Sequence, residues 1–238
     1  GRQSITALRA DLSVQHTPEQ WRITARQAEW VSEGSKVDFD LDWRNSPQDP
    51  AGHLELNASA AQIGTRQLAR WLPQSLSAAA RLYVKGAVSD GQVHAAKARV
   101  LGEFRISGQL SGVRYATVPK HLMASDSRGE WPVFQNLSGE LVFDRAAVKL
   151  SKVKARLAQA PNIAWSVLEA EIKDLGQAIV SIRAEGRGPL NEALNFLKKS
   201  PLNDMTDRVM DNARAQGLAD SVSYTHLRAH ETDSYLVC

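Results

Sequence analysis

A handful of residues have types and spacings that could do chemistry. Gly186-Arg187-Gly188 lies between strand-like and helix-like text, where a dinucleotide fingerprint would aim backbone N–H groups at a pyrophosphate. The third glycine position is Asn191, no βαβ unit surrounds the run, and Pro189 removes one N–H donor. It reads as a strand-to-helix turn. His16, His53, His94 and His121 are scattered, with no carboxylate at metal-ligand spacing, and read as isolated side chains. Ser151-Lys152-Val153-Lys154 satisfies the loose S-x-x-K pattern, but no companion penicillin-binding motif accompanies it. With Lys149 and Arg156 it forms a basic strand edge. That edge lacks interleaved aromatics and is no nucleic-acid platform. Asp38, Asp40 and Asp42 share one strand face and could attract a cation, but flanking Lys36 and Arg44 make a solvated outer face the better reading. No nucleophile, base and orienting group come together. The expectation is no enzyme, no cofactor and no metal.

The elements that hold these residues follow a period of two. Val37, Phe39, Leu41 and Trp43 alternate with Lys36, Asp38, Asp40, Asp42 and Arg44, giving a strand with one apolar and one charged face. Leu8 to Val14, Trp21 to Ala25, Leu54 to Ala60, Phe104 to Leu110, Leu141 to Phe143 and Val180 to Ala184 repeat the pattern. One-sided alternation predicts about ten to twelve antiparallel strands with one face in water, not a doubly wound parallel sheet. Two segments switch to helical period. Thr65 to Leu72 gathers Leu68, Trp71 and Leu72, and Pro189 to Lys199 gathers Leu190, Ala193, Leu194 and Leu197. A further helix through Leu202, Met205 and Val209 is expected over 202–216, and a long loop from Pro119 to Gly129. The fold class is therefore mainly β: an extended, curved antiparallel sheet, groove-like, with two or three short helices.

With 238 residues, 43% of them hydrophobic and 23% charged, the chain is a folded one rather than a disordered one. No run approaches ~18 apolar residues, so no membrane-spanning helix is expected. A net charge of +3, with basic and acidic residues interspersed, argues against a nucleic-acid partner. The single Cys excludes a disulfide framework. Val222 to Thr232, VSYTHLRAHET, is what one frame of a common transposase sequencing adapter encodes, so 222–238 is expected to be a non-native tail. Without that tail no Cys remains, which suits an oxidising compartment. The start at Gly1 suggests a piece of a longer protein.

The order of motifs resembles the central region of the YhdP family, within the AsmA-like group of bacterial envelope proteins. The resemblance runs through Leu68-Ala69-Arg70-Trp71-Leu72-Pro73 and a strand with Val84-Lys85-Gly86. It continues with Gly102-Glu103-Phe104-Arg105-Ile106, Val113-Arg114-Tyr115, Trp131-Pro132 and Leu137-Ser138-Gly139-Glu140-Leu141-Val142-Phe143. Ala170 to Leu175, Ala184 to Leu190, Phe196-Leu197 and Ser200-Pro201-Leu202 complete it. It divides the chain into a strand-rich segment, 1–64, and a YhdP-like central region, 65–221. It implies a β-groove that spans the periplasm of a Gram-negative bacterium and moves phospholipid between inner and outer membrane. The implied partners are phospholipid acyl chains, the membrane through an N-terminal anchor outside this sequence, and envelope proteins.

If the apolar face carries acyl chains, alternation assigns its wall to Val37, Phe39, Leu41, Leu54, Leu56, Val84, Phe104, Ile106, Leu141, Phe143, Val180 and Ile182. Trp43 is expected at the rim. Two other readings stay open here: a periplasmic scaffold or protein-interaction β-module, and a secreted glycan-binding β-domain using Trp21, Trp30 or Trp165 as platforms.

Overall fold

Each strand that alternation predicts pairs antiparallel with its neighbour in sequence. The computed structural model describes residues 5–70, 72, 77–101, 103–123, 129–174, 179–205 and 207–228. Trp71, Pro73, Gly102, Leu175, the 124–128 part of the expected loop and the tail beyond Arg228 lie outside the described residues, as do the side chains of Val180, Leu202 and Met205.

Among these described residues eleven strands form one open sheet in sequence order. They are β1 (Ala7–Thr17), β2 (Gln20–Ser32), β3 (Ser35–Arg44), β4 (His53–Gly64), β5 (Gln92–Leu101) and β6 (Phe104–Ala116), then β7 (Val133–Asp144), β8 (Ala147–Leu157), β9 (Ala164–Ile172), β10 (Ile179–Pro189) and β11 (Leu218–Arg228). Among the described residues three α-helices are inserted, α1 (Thr65–Arg70), α2 (Ala78–Ala87) and α3 (Leu190–Lys199), the last followed by a single turn, α4 (Leu202–Met205). The meander sets their position. Helices α1 and α2 join β4 to β5, and α3 and α4 join β10 to β11, so all lie at one end of the strands. The β2–β3 hairpin is at that end too. There Glu33 and Gly34 both take positive φ, the mirror-image turn that matches strand twist.

The strands do not keep one parity throughout. Gln27 in β2, Ala95 in β5, Asn136 in β7 and Lys152 in β8 have positive φ, and each coincides with a register shift against a neighbour. These are bulges, where one extra residue bends the strand and raises its twist. In β2 the apolar set passes from Ile23 and Ala25 to Ala28 and Trp30, and in β8 from Val148 and Leu150 to Val153 and Leu157. Repeated across neighbouring strands, the same bend curves the sheet while keeping apolar side chains on one face.

Local expectations fail where composition outweighs motif order. Val84-Lys85-Gly86 belongs to α2 and not to a strand. Ser77 starts that helix, its hydroxyl accepting from the Ala80 N–H at 3.1 Å, and three alanines favour the helical state. Gly186-Arg187-Gly188 is not a turn, because β10 runs through it to Pro189 and α3 begins at once. A Cβ at Gly186 would come 2.9 Å from the Trp165 ring, and one at Gly188 would come 2.9 Å from the Ile163 Cα. These glycines let β10 lie tightly on the preceding segment. The second helix expected over 202–216 stops after Met205. The chain then turns back, held by Lys198 Nζ, which donates to the Asp211 and Ala213 carbonyls at 2.9 and 2.7 Å.

Candidate functional site

The register stacks apolar side chains into rows that cross the strands. Ala28, Phe39, Ala58, Ala98, Ile106, Phe143, Val148, Ile172 and Val180 occupy directly opposed positions on every strand from β2 to β10. Beside them run Leu12, Ala25, Leu41, Leu56, Val100 and Phe104, from β1 to β6. Val14, Ile23, Trp43 and Leu54 make a shorter row at the strand ends away from the helices. None of these positions carries a charge.

The reverse face is charged and paired with itself. Arg22 meets Asp42 at 2.6 Å, Lys36 meets Glu29 at 2.6 Å, Arg105 meets Asp144 at 2.7 Å and Lys152 meets Glu140 at 2.8 Å. The Arg22 hydrogen bond holds the Asp42 carboxyl below the usual carboxylate range, and Lys36 and Lys152 do the same for Glu29 and Glu140. The three aspartates of β3 have separate partners. Asp38 faces Lys36 at 3.5 Å, Asp40 accepts the Gln27 N–H at the β2 bulge at 3.0 Å, and Asp42 pairs with Arg22. Among the described residues no three His, Cys, Asp or Glu side chains group as metal ligands would.

The apolar face is divided. Near the helices, Ile63, Val93, Val113 and Leu137 are at most 4% exposed. Leu68 of α1 packs on the cluster of Val37, Ile63 and Val93, and with Leu72 it also reaches the cluster of Ile106 and Phe143. Burying Ile63 or Val93 in this way contributes roughly 1.5–3 kcal/mol each. Four contacts fix the roof. Gln67 Nε2 donates to the Ser32 carbonyl at 3.0 Å, Arg70 meets Glu33 at 2.7 Å, and the Tyr83 hydroxyl of α2 contacts the Tyr115 hydroxyl at 2.8 Å and donates to the Thr117 carbonyl at 3.0 Å. Toward the other end Phe39, Leu41, Leu54, Leu56, Val100 and Phe104 are only half-buried.

The structure separates the expected wall residues. Phe39, Leu41, Leu54, Leu56, Phe104, Leu141 and Ile182 are half-buried on the sheet. Val37, Ile106 and Phe143 are buried, Phe143 against Phe104 edge-to-face at 5.3 Å. Val84 lies on α2 and is no part of the sheet wall. Trp43 sits at the strand end, its Nε1 donating to the Ala51 carbonyl at 3.3 Å. Of the aromatic platforms, Trp30 and Trp165 pack into core clusters and Trp21 lies against His16 at 4.0 Å. Alternation missed Ala28, Ala98, Val100, Val148 and Ile172 as members of the rows. The available signal was an apolar pair three apart at each bulge, as at Ala25 and Ala28.

The family model of the YhdP protein matches residues 2–222. The chain belongs to the YhdP family. No curated protein and no solved structure matches it. The family is one of envelope proteins, and among the described residues no helix is long and apolar enough to cross a membrane. Its member here is an open β-sheet with one apolar face.

Proposed function

We propose that this chain is a segment of a trough that carries phospholipid acyl chains across the periplasm, between the inner and outer membranes. One observation carries the reading: uncharged apolar rows in register across the strands, one of them from β2 to β10, backed by a face of ion pairs. Membership of the YhdP family supports it. Hydrocarbon suits such a surface because it has no polar groups to satisfy. A peptide laid across the same face would leave its N–H and C=O groups unpaired, a cost of about 1–3 kcal/mol for each group buried. Covering the rows with acyl chains removes apolar surface from water at ~25 cal/mol per Å². Neighbouring sites along a row are chemically alike, so a chain moves between them with little change in free energy and no catalytic step is required. On this reading the parent protein is anchored in the inner membrane, its partners are phospholipid and envelope proteins, and it is no enzyme.

The test is phospholipid binding by matched variants. Phe104→Asp forces a carboxylate against hydrocarbon, at a cost of several kcal/mol, and should reduce bound phospholipid at least tenfold. Arg105→Asp, one residue along on the charged face, should leave it within twofold. Equal loss in both, or in neither, would contradict the proposal.

A further inference from the structure

We propose that α1 and α2 form a fixed wall that confines acyl chains to the half of the apolar face farther from the helices. The inference rests on the lipid-carrying reading above and adds to it a boundary. The roofed half is already filled by protein. Val93 and Ile63 are 0% and 1% exposed, and Leu68 lies on their cluster. Leu68 and Leu72 extend this cover to Ile106 and Phe143, so the boundary crosses β6 and β7 between those residues and Phe104. Beyond it Leu41, Leu56, Val100 and Phe104 stay half-exposed in one row.

The wall is tied down at both ends. Gln67 and Arg70 bind α1 to the β2–β3 turn, and Thr65 Oγ1 donates to the Asp90 carbonyl at 3.1 Å. Tyr83 ties α2 to Tyr115 and Thr117, and Gly86 lies so close to His121 and Pro119 that a Cβ there would clash. A roof hydrogen-bonded to backbone carbonyls on two separate strand connections is a permanent partition and not a hinged lid. On β3 the open band runs from Phe39 to Trp43, four residues of strand or about 13 Å. That width takes hydrocarbon chains lying side by side along the rows.

Two native tryptophans stand on either side of the boundary. Trp43 lies in the open band, and Trp30 packs on the cluster under Leu68. In variants retaining one of these with the other tryptophans changed to Phe, vesicles of phospholipid brominated along the acyl chains should quench Trp43 strongly and Trp30 at least fivefold less. Leu68→Ala combined with Leu72→Ala should bring Trp30 quenching up toward that of Trp43. Arg105→Trp, on the charged face of a chain otherwise free of tryptophan, reports mere adsorption and should stay unquenched. If the tryptophan-poor variants fail to fold, a photoreactive side chain at Leu56 or at Ala96 in the otherwise unaltered chain makes the same comparison, with lipid labelling expected at Leu56 only. Equal signal from the two halves, or more from the roofed half, overturns the wall while leaving the lipid reading intact. Signal from neither half, or as much from Arg105→Trp as from Trp43, overturns both.

Discussion

At the scale of single residues, Tyr83 and Tyr115 help hold the helical roof on the sheet. Burial raises the Tyr115 hydroxyl well above its ordinary value near 10, and raises that of Tyr83 less far. A phenol whose folded value is raised keeps its proton in the folded state after the unfolded chain has lost it. Its contribution is therefore complete below pH 10 and is lost as pH rises from there toward the folded value. Urea unfolding should show stability falling above pH 10, with a shallower fall in Tyr115→Phe; an unchanged slope would sink the assignment. The aspartates of β3 show what was legible and what was not. Sequence alone made them an outer charged face, which they are, because charge alternates with apolar residues there. It could not show that Asp40 serves a bulge, since the Gln27 N–H comes from another strand.

At the scale of elements, alternation located the strands because each has one wet and one dry face, and that contrast is written locally. The bulges were less legible. A parity change such as Leu150 to Val153 looks like a break in the pattern, while in the sheet it restores the pattern on the same face. The inserted helices were hardest. Leu68 and Leu72 declare an apolar stripe, but which part of the sheet they cover depends on partners far away in sequence, among them Val37 and Ile106. Motif order suggests a strand at Val84, whereas the Ser77 cap and the alanine run specify a helix there. At the β2 bulge the Gln27 N–H donates to the Asp40 carboxylate. Asp40→Ala removes the partner of the Gln27 N–H and should cost about 1 kcal/mol in urea unfolding. Asp38→Ala, which loses only an exposed ion pair, should cost less than about 0.5 kcal/mol. Equal costs would show that Asp40 has no special relation to the bulge.

At the scale of the whole molecule, the sheet stays open, with β1 and β11 as its two edges, β11 from Val222 onward being the expected non-native tail. On β1, Leu8, Leu12 and Val14 are 60%, 66% and 54% exposed on the same face as the rows of β2 to β6. The apolar face thus runs uncovered to the β1 edge. In a self-sufficient sandwich a second sheet would bury such a face. Here the helices cover only part of it, and the remainder is the surface to which the account assigns acyl chains. Leu56 and Glu55 test that assignment most directly, being adjacent on β4 and pointing to opposite faces. A photoreactive side chain at either position, irradiated with phospholipid bound, should label lipid from 56 and not from 55. Equal labelling from both positions, or labelling from 55 alone, would contradict the account.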